Sequence, residues 1–164
     1  MPNTYTPIAS QTLSSSAASV TFSSIPSIYT DLIIVANHAA ISGTNALYVT
    51  LNADTASNYS YAIMVGDGTT ASSARASVTA AYFANSSTTS GATATIINVM
   101  NYANTTTFKT LLGRNSVAIG SQPNAAAVVN LWRNTNAINS ILLSYYNVNF
   151  ATGSIFTLYG IKAA

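Results

Sequence analysis

The stretch Val128–Ile161, VVNLWRNTNAINSILLSYYNVNFATGSIFTLYGI, decides the fold class. It reads as three β-strands in succession, Val128–Arg133, Ile138–Asn147 and Ile155–Ile161. β-Branched and aromatic residues fill the strands, and Asn134-Thr135-Asn136-Ala137 and Ala151-Thr152-Gly153-Ser154 make tight connections between them. The alternation is two-sided. On the middle strand Ile141, Leu143 and Tyr145 share one face, while Leu142 and Tyr146 share the other with Ser140 and Ser144. On the last strand Phe156 and Leu158 oppose Ile155, Tyr159 and Ile161. A half-solvated sheet carries apolar residues on one side only. This pattern therefore implies a second cover, from elsewhere in the chain or from another subunit.

The rest of the chain continues the strand pattern. Ser19–Ser23 alternates, with Val20 and Phe22 inward, and Asp31–Ala39 is apolar on both faces, as a central strand would be. Leu47–Leu51, Tyr59–Val65, Ser77–Phe83, Thr93–Met100 and Phe108–Leu112 read as further strands. Gly43-Thr44-Asn45 is a turn, and Gly66-Asp67-Gly68 is a hairpin signal, because both glycines accept positive φ. Ala71–Ala76 suits one helical turn, and Gly113–Ala125 reads as a loop punctuated by Gly120 and Pro123. Residues 1–18 form an N-terminal arm or edge strand, since Pro7 cannot serve a central ladder, and 19–164 form the domain. About ten short strands without helical periodicity predict an all-β, single-domain antiparallel β-sandwich, jelly-roll-like.

Charge is the most unusual part of the composition. Charged residues make up 5% of the 164, against about 25% in an average domain, and there is no Glu. The acids are Asp31, Asp54 and Asp67, and the bases Arg75, Lys109, Arg114, Arg133 and Lys162. A net charge of +2, scattered along the chain, lacks the basic stripe that nucleic acid requires. Solubility rests on Ser, Thr and Asn, and such a surface repels its own copies weakly, which suits a permanent assembly. No apolar run is long enough for a transmembrane helix, so no membrane role is expected. The first residues lack the basic and apolar regions of a signal peptide. There is no Cys, hence no disulfide framework.

Catalytic constellations are missing. His38 is the only His and sits in an apolar strand with no Cys or Glu to partner it, so it reads as a hydrogen-bonded structural residue. No G-x-S-x-G elbow, phosphate loop or zinc-spaced pair occurs, and paired carboxylates could come only from the three Asp residues. Asp67 lies in a hairpin turn, where Asp is ordinary; calcium at Asp54 or Asp67 through backbone oxygens is the remaining metal option. The chain is therefore expected to be no enzyme and to need no cofactor or metal. Ten Tyr and one Trp could build a glycan-binding patch, or could simply be half-buried strand residues. The sequons at Asn58, Asn85 and Asn104 are expected by chance in so polar a chain.

Four phrases, Ser19–Val35 (SVTFSSIPSIYTDLIIV), Ser57–Ser73 (SNYSYAIMVGDGTTASS), Asn130–Leu143 (NLWRNTNAINSILL) and Phe150–Ile161 (FATGSIFTLYGI), carry a family resemblance. As a set they resemble small β-sandwich structural proteins of tailed bacteriophages, especially phages of cyanobacteria and aquatic bacteria. Related sequences occur both as free-standing capsid decoration (cement) proteins and as modules of tail fibres. The resemblance implies a sandwich, usually a homotrimer, made in the host cytoplasm and carried on the virion, with the major capsid protein as partner. It brings no catalytic motif. No coiled-coil heptad or collagen-like repeat accompanies the domain, which favours the decoration role over a receptor-binding, glycan-recognising fibre head. Tyr5 and Ile8 on the N-terminal segment are the candidates for docking on the shell. Trp132, Tyr145 and Tyr146 are the candidates for contacts between subunits, since aromatics dominate buried hot spots.

Overall fold

The computed structural model describes residues 4–43, 45–86, 93–119 and 122–162. Twelve strands form two antiparallel sheets: β1 Tyr5–Thr12, β2 Ser19–Phe22, β3 Asp31–His38, β4 Asn45–Leu51, β5 Tyr59–Gly66, β6 Ala71–Val78, β7 Ala81–Ser86, β8 Thr93–Val99, β9 Lys109–Ile119, β10 Gln122–Trp132, β11 Ile141–Tyr145 and β12 Ile155–Ile161. The larger sheet has eight strands in the order β1-β12-β3-β8-β9-β10-β5-β6, and the smaller has four, β2-β11-β4-β7. The chain is an all-β sandwich.

Its connectivity is that of a jelly roll. The strands β1-β12-β3-β8 face β2-β11-β4-β7, and the chain crosses between sheets at β1→β2, β2→β3, β3→β4, β4→β5, β6→β7, β7→β8, β10→β11 and β11→β12. Two inserted hairpins, β5–β6 and β9–β10, leave this frame and add on beyond β8, doubling the width of one sheet. Two turns in the large sheet share a chemistry. The Asp67 carboxylate accepts from the backbone and hydroxyls of Thr69 and Thr70 in the β5–β6 turn. The Asn104 side-chain oxygen does the same for Thr106 and Thr107 between β8 and β9.

The core lies between the sheets, with Leu32, Ile34, Ile97, Leu111, Val128, Phe156 and Leu158 of one meeting Val20, Phe22, Leu47, Val49, Phe83, Ile141 and Leu143 of the other. Asn130, fully buried on β10, ties the layers together. Its Oδ1 accepts the Tyr82 N–H and its Nδ2 donates to the Tyr82 carbonyl, both at 2.8 Å, so β7 is clipped across the inserted hairpins. At one end of the core, Trp132 donates its indole N–H to Asp54 at 2.7 Å, and the Tyr59 hydroxyl accepts the Leu51 N–H at 3.0 Å. Asn52 steers the 133–140 crossing by donating to the Ala137 carbonyl and accepting from the Asn139 N–H.

Several expectations need correction. The closing stretch does form three successive strands, but they do not share a sheet, because β10 and β12 lie in the large sheet and β11 in the small one. Ala71–Ala76 is strand, not a helical turn: small residues cost little on an edge strand paired along its length with β5. Gly113–Ile119 and Gln122–Ala125 are not loop but paired strand of β9 and β10, while Gly120 lies outside the described residues. Gly113 is there because a Cβ would come within 2.3 Å of the Phe83 ring, which packs on bare backbone. Pro123 is tolerated because β5 pairing begins only at Ala125, so β10 needs no donor on that side. Of the two readings of the N-terminal segment, the edge strand holds for residues 5–12, with a register shift between Pro7 and Ala9.

Replacing Asn130 with Leu should destabilise the fold by roughly 2–5 kcal/mol, because the Tyr82 N–H and C=O would both be buried without a partner. Urea denaturation checks this, and a loss under about 1 kcal/mol would show that the clip is dispensable.

Candidate functional site

In an antiparallel sheet, directly paired residues lie on the same face. The registers therefore define the outward face of the large sheet. One row runs Thr157, Val35, Ile96, Arg114, Ala127, Met64, Ser73, and the next Tyr159, Ile33, Asn98, Leu112, Val129, Ala62, Arg75. Apolar side chains stand open to solvent along these rows: Met64 is 66% exposed, Val129 46%, Leu112 42%, Val35 41% and Ile96 37%. Exposed apolar residues scattered singly are ordinary, but five on one face form a patch. The two-sided alternation of the sequence is thus answered asymmetrically. Strand β3 is central and covered inside, while outside only Ile33 is buried and Val35 is open.

Over the inserted hairpins this face hollows into a trough of about 900 Å³, lined by Met64, Leu112, Val129, Ala62, Arg75 and Arg114 among others. Ala62 and Ala127 keep its floor low between the larger side chains. A shallower recess of about 520 Å³ continues it past Arg75 and Val129 toward Ser60 and Leu131. Three strand spacings, about 14 Å, and a two-residue offset along the strands, about 7 Å, put Arg114 on β9 about 16 Å from Arg75 on β6. The outward side of the small sheet differs: Thr21, Tyr48, Thr50, Tyr82 and Ser144 give it hydroxyls and aromatic rings.

The structure disperses the residues singled out from the sequence. Trp132 and Tyr145 belong to the protomer's own interior and have no surface for a subunit contact. Tyr146 is 67% exposed, beside Tyr48 and Ser144 on the small-sheet side. Tyr5 pairs with Ile161 and so extends the large sheet's outward face at its far edge, whereas Ile8 packs partly against the core. Asp31 accepts the Asn101 N–H, Asp54 binds Ala56, Asn58 and Trp132, and Asp67 caps its turn. Hydrogen bonds from Asn58 and then the other donors hold the Asp54 carboxyl below its usual range; those from Thr70 and Thr69 lower Asp67 strongly. No group of three metal-ligating side chains occurs among the described residues.

His38 is buried in an aromatic box. Its Nδ1 lies 2.5 Å from the Tyr145 hydroxyl and its Nε2 3.0 Å from Thr95 Oγ1. The rings of Phe156, stacked, and Phe150, edge-on, close around it. Burial lowers its pKa to about 3. A neutral imidazole with both nitrogens engaged by hydroxyls and no carboxylate nearby is a structural group, not a general base. The trough residues escaped the sequence reading because Arg75 and Arg114 fall in the segments misread as helical turn and loop. The period-two spacing of Leu112 with Arg114 and of Ala127 with Val129 was the available signal.

Because His38 is neutral when folded and charges near pH 6.5 when unfolded, the unfolded state binds the extra proton between pH 6.5 and about 3. Stability should be complete above pH 6.5 and fall below it by up to about 1.4 kcal/mol per pH unit. The depressed Asp54 and Asp67 contribute stability above their ordinary carboxylate range and lose it only at lower pH, so the upper window isolates His38. Urea midpoints measured from pH 7 to 4 test this, and a flat profile would refute it. Comparison with protein-family models, curated proteins and solved structures returned no match to this chain.

Proposed function

We propose that this chain is a non-enzymatic structural protein of a tailed-phage particle, a decoration protein that seats on the outer surface of the capsid as a homotrimer and stabilises the assembled shell. The observation that carries the reading is the open apolar face of the eight-stranded sheet. Exposed apolar area of this extent is a liability in a free protein and an asset in one that ends on a larger surface. Scarce charge points the same way, since little repulsion opposes dense packing of copies. Of the five contact candidates, Tyr5, Ile8 and Tyr146 keep surface that partners could use. The mechanism is mass action: a protein that binds the closed shell and not its free subunits shifts the equilibrium toward the shell, by about 2.7 kcal/mol per site at a hundred times its Kd.

A second reading, a fibre head that recognises host glycan, is favoured by one feature. Tyr48, Thr50, Thr79, Ser144 and Tyr146 line a concavity of about 390 Å³ on the small-sheet side, and Tyr82 stacks on Tyr61 nearby with centroids 4.5 Å apart. Rings with hydroxyls beside them suit sugar faces. Burial, followed by the neighbouring Tyr61 and Tyr146, raises the Tyr48 hydroxyl, which keeps it protonated and able to donate.

Imaging virions that carry a labelled copy separates the two. Shell-wide label, together with earlier heat rupture of particles lacking the protein, is the expected result; label confined to the tail would replace decoration by the fibre reading.

A further inference from the structure

We propose that the trough on the large sheet receives a polypeptide segment of another protein that carries carboxylates among apolar side chains, and not a second copy of this chain. The proposal names the partner chemistry of the decoration reading and rests on that reading only for the partner's location.

Among the five cationic side chains, Lys109 is buried and donates to the carbonyls of Thr107 and Thr135. Arg133 donates to Ser60 Oγ and to the Ser57 and Tyr59 carbonyls. Lys162 lies 5.8 Å over the Tyr29 ring. Arg75 and Arg114 remain. Both are exposed, both line the trough, and neither makes an ion pair or side-chain hydrogen bond among the described residues. No acidic residue lines the trough with them.

A second copy offers these guanidiniums little. All three of its Asp side chains are engaged within their own protomer, by Asn101, by Asn58 and Trp132, and by Thr69 and Thr70. Face-to-face docking of two copies would bring arginine to arginine across apolar surface, where unpaired charge is strongly unfavourable. A partner with carboxylates converts both into charge-assisted pairs, for which the planar guanidinium is well shaped. The separation of about 16 Å leaves room between them for apolar side chains, or for a helix about 10–12 Å wide, against Met64, Val129 and Leu112. Two arginines on an apolar floor do not form the continuous basic track that a phosphate backbone needs.

The test uses the full chain and two labelled synthetic peptides of equal length with the same Leu and Val residues, one with Glu and one with Lys at the intervening positions. Fluorescence anisotropy should show the Glu peptide binding at least about tenfold tighter, an advantage that shrinks with added salt. The variant R75E/R114E, changed only at exposed positions, should keep its circular dichroism and reverse the preference. Equal binding of the two peptides, no binding, or a preference that survives charge reversal overturns the proposal. So does sedimentation showing copies joined through this face and dispersed by Met64→Lys, or anionic phosphatidylserine vesicles outcompeting the Glu peptide. Lost peptide selectivity with shell-wide label sinks this proposal alone; selectivity with tail-only label sinks the decoration role alone.

Discussion

The Asn130 amide holds the architecture together. It presents a donor and an acceptor to both backbone groups of Tyr82, as a neighbouring strand would. Strand β7 is the edge of the small sheet, and the clip fastens that edge over the middle of the inserted hairpins. A buried amide tolerates no slip, because a shift of one residue would leave two polar groups without partners in an apolar layer. Phe83 beside it then packs directly on Gly113, where no side chain could stand. One short segment of β7 thus fixes the register of β9, β10 and β5 relative to the jelly-roll frame.

Width follows from that attachment. Eight strands are opposed by four, so the larger sheet extends well past the conventional jelly-roll edge. Its inward side is served by β7, while no described strand covers its outward side. Hence the same strands that bury Val128 and Ile63 inward present Val129 and Met64 to water. The edges of the sheet are unequal too. Strand β1 carries Pro7 and a register irregularity, devices that discourage further pairing, whereas β6 is straight, small-residued and blunted only by Arg75.

Scarcity of charge gives each ionic group weight. With three Asp side chains, all engaged in hydrogen bonds of their own, there is no counterion for Arg75 or Arg114 among the described residues. Both sit at the walls of an apolar hollow, where a guanidinium is most discriminating between partners. Affinity for a surface and selectivity among surfaces are thereby separated: the apolar side chains supply area, and the two arginines choose the sign of what fits.

Alternation and turn chemistry in the sequence determined an all-β sandwich, the inward positions Val20 and Phe22, the shared faces of Leu143 with Ile141 and of Leu158 with Phe156, and the structural nature of His38. These depend on local periodicity and on what one residue can do alone, so they are legible residue by residue. The sequence also carried the two-faced apolarity of Asp31–His38, but not which side stays open. It took the tertiary fold to turn Trp132 and Tyr145 toward the protomer's own core, to set Gly113 and Pro123 inside strands, and to place Arg75 and Arg114 on the lining of one trough. Each of these is a pairing between residues distant in the chain. Local propensity cannot register such pairings, because Phe83 makes a glycine necessary and the end of β5 makes a proline harmless.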